Sequence, residues 1–268
     1  MTFWEHLDEL RKVLFRSALV LLGVAIVFFI FKDFTFGIVF GPSDGNFALY
    51  RFANYLLGLF GQPPLEPFKL NVINIDLPAQ FFIHISTSFY FAFVVSTPVI
   101  LYFLWTFVSP ALYPREKRAA VKAFALAAVF FYTGVLVGYF LLFPLTLRFL
   151  GTYQVMEDVT NQISLKSYIS TFFSLILILG LVFELPTVAA LLSKLGLLYK
   201  HTLKKYRRHA FVVLLILAAI ITPTGDPFTL MAVGLPLYGL YEISILMCRS
   251  RKAEESDAES SVNQEEKE

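Results

Sequence analysis

The sequence predicts an all-α integral membrane protein with six membrane-crossing helices and both termini on the cytoplasmic side. Three observations predict it. The 268 residues are 57% hydrophobic and only 16% charged, too thin a polar shell for a water-soluble domain of this length. Several apolar runs approach or exceed the roughly 20 residues that cross a bilayer, and they are solidly apolar rather than alternating, which disfavours a β-barrel. The basic residues fall on one side. With the amino terminus inside, Lys32, Arg51, Lys69, Arg148 and Lys166 lie outside, and the other 17 of the 22 Lys+Arg lie inside, the bias that orients membrane helices. Both ends inside requires an even number of spans.

The first span is expected over Val13 to Phe31, preceded by the lead-in "WEHLDELRKVLFR". On a helix Asp8 and Lys12 are four apart and can pair. Trp4, Leu7, Leu10 and Leu14 line one side, which suits a membrane interface. The apolar run is long and no small-residue cleavage site follows it, which argues against a cleaved signal peptide. The first outer loop, Lys32 to Gln80, carries five prolines. Within it, "ALYRFANYLLGLFG" reads as an amphipathic helix on the outer surface or capping the bundle.

The second span is expected over Phe81 to Val108. Its cytoplasmic loop, "SPALYPREKRAA", offers Pro110 for a brief helical turn and sets Glu116 among Arg115, Lys117 and Arg118. The third span is expected over Ala119 to Phe149, with "GVLVG" (Gly134 to Gly138) as a close-packing pattern of small residues. The fourth is expected over Tyr168 to Leu195. It holds Glu184, about 15 Å inside the cytoplasmic end at 1.5 Å per residue. An acid at that depth normally faces a cavity, a partner or a proton path. The plainer reading is a protonated Glu184 bonded to a backbone carbonyl freed by Pro186.

The last two spans, His209 to Thr222 and Pro227 to Met247, are expected to form a short hairpin. The apolar part of the fifth, Ala210 to Ile221, covers roughly 18 Å against about 30 Å of hydrocarbon, so it thins the bilayer or needs partners. Asp226 in the turn "TPTGDP" suits a cap for the sixth span, and Glu242 suits the interface. Residues 1–248 form the membrane domain, and 249–268 form an acidic tail expected to be disordered.

Chemistry-bearing motifs are absent: no HExxH, GxSxG, phosphate-binding loop or metal-ligand cluster occurs. The chain is therefore not read as an enzyme and no cofactor is expected. His6, His84, His201 and His209 lie on separate segments, a poor set for haem. The lone Cys248 excludes an internal disulfide. No nucleic-acid partner is indicated. From the residues alone, an ion-coupled secondary transporter using Glu184, or a subunit of a redox complex, also stays open. The transporter reading expects an inverted repeat, which is not evident.

An ordered set of motifs is more specific. "HLDELRKVL", "WTFVSPALYPREKR", "FPLTLRFL", "FELP" and "TPTGDPFT…LPLYGLYE" occur in that order from about Phe3 to Ile245. Together they resemble the TatC family, the multi-spanning receptor subunit of the twin-arginine protein translocase. The resemblance implies protein export across the bacterial cytoplasmic (inner) membrane, driven by the proton motive force. It also implies an oligomeric complex with TatA/TatB-type single-span subunits and twin-arginine precursor proteins. It places signal-peptide binding at Glu9 and Glu116, with Arg11, Phe107, Pro110 and Arg118 nearby, and expects partner contacts around Glu184, Asp226 and Glu242. Carboxylates are the apt ligands for an arginine pair, because each can accept charge-assisted, often bidentate bonds from a guanidinium. The chain departs from the family's pattern at Val13, where a basic residue is frequent, and at Leu230, where glutamine is frequent.

Overall fold

A computed structural model of the chain describes residues 3–65, 70–111, 114–154, 156, 161–194, 196–222 and 227–248, without the side chains of 3, 5, 111, 114–116, 118–120 and 228. Asp226 and the acidic tail lie outside the described residues.

Eleven α-helices form the described chain: α1 (Phe3–Ile30), α2 (Lys32–Phe40), α3 (Ala48–Leu59), α4 (Ala79–Val108), α5 (Pro114–Val137), α6 (Phe143–Thr152), α7 (Leu165–Val182), α8 (Leu185–Lys194), α9 (Lys200–Lys205), α10 (Arg207–Ile221) and α11 (Pro227–Met247). Five segments are long and apolar enough to cross a membrane: His6–Ile30, Ala79–Val108, Val121–Thr152, Leu165–Lys194 and Thr229–Met247. The expected fifth span is present as α10, but its 15 residues cover only about 22 Å at 1.5 Å per residue and it is not among those five. The first expected span begins earlier than anticipated: α1 runs unbroken from the polar lead-in into the membrane segment.

Two expected spans are not uniform rods. The third winds into a π-helical turn at Gly138–Leu142 before continuing as α6. Pro144 at the start of α6 explains the change of winding, since it has no N–H to continue the α ladder. The fourth breaks at Phe183 and Glu184 between α7 and α8. Pro186, in the first turn of α8, enforces this break for the same reason.

The core lies between α5, the π turn, α6 and α7. Phe143, Tyr168, Phe172, Leu175 and Leu179 are fully buried there. The small-residue pattern packs as expected. A Cβ on Gly134 would stand 2.6 Å from the Leu179 carbonyl oxygen and 2.9 Å from the Gly180 Cα, so the two backbones touch in a way only glycine permits. Helix α1 lies along α4, fixed by stacked rings along its length: His6 on Phe107, Phe28 on Phe91 and Phe29 on His84.

One end of the bundle carries the loop-rich segments, and tyrosines organise it. The last carbonyls of a helix have no internal partner. At the end of α2, Tyr139 donates to the Ile38 carbonyl and Tyr168 to the Val39 carbonyl. Ser43 donates to the Phe40 carbonyl. Tyr50 of α3 donates to the carbonyls of Pro42 and Pro144. Burial pushes the Tyr50 hydroxyl well above the ordinary tyrosine range, so it stays a protonated donor. A two-residue parallel pairing, Val72 with Ile163 and Ile73 with Ser164, joins the two loops at this end. Nothing in the sequence pattern of these loops predicts a strand.

Candidate functional site

The opposite end of the bundle gathers most of the expected recognition residues. Helix α1 begins beside the last turn of α4, and the His6 and Phe107 rings stack at 4.3 Å with 22° between their planes. Glu9 follows His6 by one helical turn. A brief 3-10 turn, Ser109–Ala111, follows α4 and contains exposed Pro110. Helix α5 then starts at Pro114, a residue suited to the first helical position because its missing N–H would be unpaired there anyway. Glu116 and Arg118 therefore lie on the first turns of α5. Their side chains are outside the described residues. Arg11 is exposed on α1.

Lys12 is not paired as the spacing suggested. Lys12 bonds Glu9 at 2.6 Å, three residues away, rather than Asp8. Both spacings bring side chains together on a helix, and the i, i+3 pair is the one formed. Glu9 Oε1 thus already holds a cation at the molecular surface, and the pair is open to solvent. An exposed pair of this kind is weak and exchangeable. Trp4, Leu7 and Leu14 are exposed, as an interfacial stripe requires, whereas Leu10, the fourth residue expected on it, is half-buried.

A second acidic position lies deeper. Glu184 lines a cavity of about 440 Å³ between α4, α5 and the α7–α8 break, with Phe93, Thr97, Leu104, Phe131 and Thr187 around it. It is the one ionisable side chain among those lining the cavity. Glu184 ends α7 through a bond from its amide to the Leu181 carbonyl, and its own carbonyl accepts from Val188 in α8. The Thr187 hydroxyl is buried close to the Glu184 carboxylate.

Glu242 is satisfied inside the chain: Arg207 bonds it at 2.6 Å. This ion pair ties the first turn of α10 to the end of α11, making the two helices an antiparallel hairpin. Among the described residues no cluster of His, Cys, Asp and Glu is arranged to hold a metal. The contact between the lead-in and the last turn of α4, His6 with Phe107, was not read from the sequence. The signal available was an aromatic at the end of one apolar run and a ring in the lead-in of another, too common a pair to single out.

The family model "Sec-independent protein translocase protein (TatC)" matches residues 5–236, which takes in the lead-in, the loop after α4, the α7–α8 break and most of the final hairpin. The chain belongs to the TatC family. Among curated TatC proteins, that of Blattabacterium sp. subsp. Periplaneta americana is 36% identical over 250 residues, covering 91% of this chain and 94% of the relative. The TatC of Aquifex aeolicus is 33% identical, covering 92% and 94%. A crystal structure described as the twin arginine translocase receptor TatC in DDM superposes with a TM-score of 0.69 at 31% identity, covering 91% of this chain and 99% of that one. Membership makes the chain a multi-pass membrane subunit of the Sec-independent, twin-arginine protein translocase. It favours that reading over the ion-coupled transporter and the redox subunit.

Proposed function

We propose that this chain is the receptor subunit that binds the Arg-Arg pair of twin-arginine signal peptides, with Glu9 and Glu116 each taking one guanidinium. The stacking of His6 on Phe107 carries the reading. It brings the Glu9 turn of α1 beside the segment that leads through Pro110 into the Glu116 turn of α5. An incoming arginine displaces Lys12 from Glu9 and gains a planar, two-pronged contact that an ammonium cannot make. Arg11 and Arg118 orient the acids, and Phe107 and Pro110 shape the apolar side of the site.

The topology that fits this role has six spans with both termini in the cytoplasm of a bacterial inner membrane. Two observations support it: the Lys/Arg bias, and the Arg207–Glu242 pair, which sets α10 beside the membrane-length α11. A helix of about 22 Å crosses only a thinned bilayer or one shared with partners. TatA/TatB-type single-span subunits are the partners proposed for that hairpin and for the Glu184 cavity, where a polar side chain from another helix would satisfy the carboxylate. Export is coupled to the proton motive force.

The test is photo-crosslinking of a twin-arginine precursor, with the probe beside its arginine pair, to membranes carrying this chain. The expected result is a crosslink in the parent and its loss in Glu9→Ala plus Glu116→Ala. An unchanged crosslink in the double variant, with the chain present at parental level, overturns the site.

A further inference from the structure

Helix α3 is unusual in having two apolar faces, of which the protein covers one. Tyr50, Ala53, Asn54 and Leu57, spaced i, i+3, i+4 and i+7, turn toward the bundle and are buried or half-buried. Phe52, Tyr55, Leu56 and Leu59 repeat the same spacing on the opposite side. All four are exposed, with Phe52 at 59% and both Tyr55 and Leu59 at 65%. Phe60, just past the helix end, is 79% exposed. In water such a face is a liability, and it marks a contact surface.

The position of the helix identifies what covers that face. Phe47, immediately before α3, stacks on Phe140 at 5.7 Å and 18° and meets Tyr139 edge-on at 5.5 Å. Phe140 belongs to the third membrane segment, Val121–Thr152, and is exposed on its flank. It stands 18 residues beyond Lys122, about 27 Å along the helix, which is just inside a hydrocarbon core of about 30 Å. The start of α3 is therefore level with the edge of the bilayer and continuous with its lipid-facing surface. Tyr50 holds the helix there through Pro42 and Pro144. Arg51 is exposed on the border between the two faces, where a long cationic side chain reaches phosphates while its stem stays in the apolar layer.

The geometry points to α3 as an interfacial membrane anchor: its Phe52, Tyr55, Leu56 and Leu59 face lies in the leaflet on the loop-rich side, and Arg51 meets the headgroups. The contact fixes the height and tilt of the loop-rich end against the bilayer. It gives the long first loop a role separate from signal-peptide recognition.

Fluorescence quenching in proteoliposomes tests it. In a Cys248→Ser background, single cysteines replacing Tyr55, Leu59, Ala53 or Leu57 are labelled with an environment-sensitive fluorophore. The full chain is reconstituted in phosphatidylethanolamine–phosphatidylglycerol vesicles. Nitroxide lipids carry the quencher either near the headgroup or near the chain end, and iodide serves as the aqueous quencher. The expected result is blue-shifted emission at 55 and 59 and stronger quenching by the shallow nitroxide than by the deep one or by iodide. Labels at 53 and 57 are expected to respond to neither nitroxide. Iodide quenching of 55 and 59 without nitroxide quenching would place the face in water and overturn the proposal. Shielding of both positions from every quencher would mean a second copy of the chain covers them, and would overturn it equally.

Discussion

Helix α1 and the broken α7–α8 segment contribute similar lengths of apolar chain, yet they are held in opposite ways. Only 11% of the most apolar stretch of the first segment is buried, against 39% in the fourth. The α5–α7 seam is closed by backbones in contact at Gly134 and Gly180. The α1–α4 seam is closed by side-chain rings. Touching backbones cannot separate without opening a void, whereas stacked rings tolerate small shifts at modest cost. The difference fits a division of roles: α5–α7 serves as the fixed scaffold, and the α1 end, where signal-peptide recognition is proposed, can change its exposed groups without loss of the fold.

The sharpest way to break this comparison is to overfill the fixed seam. Gly134→Leu drives a side chain into the Leu179 carbonyl and should cost about 1–3 kcal/mol or more by overpacking, seen as a large drop in melting temperature of the detergent-purified chain. A similar change at Gly23 of α1, where an added Cβ meets nothing within 4 Å, should leave the melting temperature near parental. Equal effects at the two glycines would contradict the division.

A milder effect is expected at the tyrosine clasp. Tyr50→Phe removes the donor to Pro42 and Pro144 and should destabilise by about 1 kcal/mol, with faster protease cleavage of the first loop as the readout. Glu184→Ala tests the cavity. It should leave melting and signal-peptide crosslinking unchanged while export of a twin-arginine precursor falls, because the carboxylate lies in the wall and not in the seam. Unchanged export would remove Glu184 from the mechanism. The smallest effect is expected for Lys12→Ala, which frees Glu9 of its surface partner. Melting should not move, and crosslinking to a precursor should be no weaker than in the parent.

Much of this was legible before any coordinates. Apolar run length located every membrane-length helix, and the twelve-residue core of α10 revealed its shortness. "GVLVG" pointed to the tight seam because small residues four apart serve few other purposes in lipid. What escaped depended on distant partners. Tyr50 meets Pro144 from 94 residues away, and Tyr168 meets Val39 from 129 away. Nothing local to a tyrosine names the carbonyl it will find. The break at Glu184 was half visible: Pro186 was noted, but it was expected to free one carbonyl within a continuous helix, and instead it divides the span. Lys12 choosing Glu9 over Asp8 is a choice between two nearly equal spacings, i+3 and i+4, which sequence alone does not decide. Of the residues proposed for recognition, Glu9 and Phe107 were nameable only through the family resemblance, since a carboxylate in a charged lead-in helix is ordinary by itself.

The central claim is that Glu9 and Glu116 together hold the arginine pair. Its most direct test is the photo-crosslink from beside those arginines, compared among the parent, Glu9→Ala plus Glu116→Ala, and Glu9→Asp plus Glu116→Asp. The account predicts a strong crosslink in the parent, none in the alanine pair and partial recovery in the aspartate pair, with all three chains equally abundant in the membrane. A crosslink of parental strength in the alanine pair would contradict it.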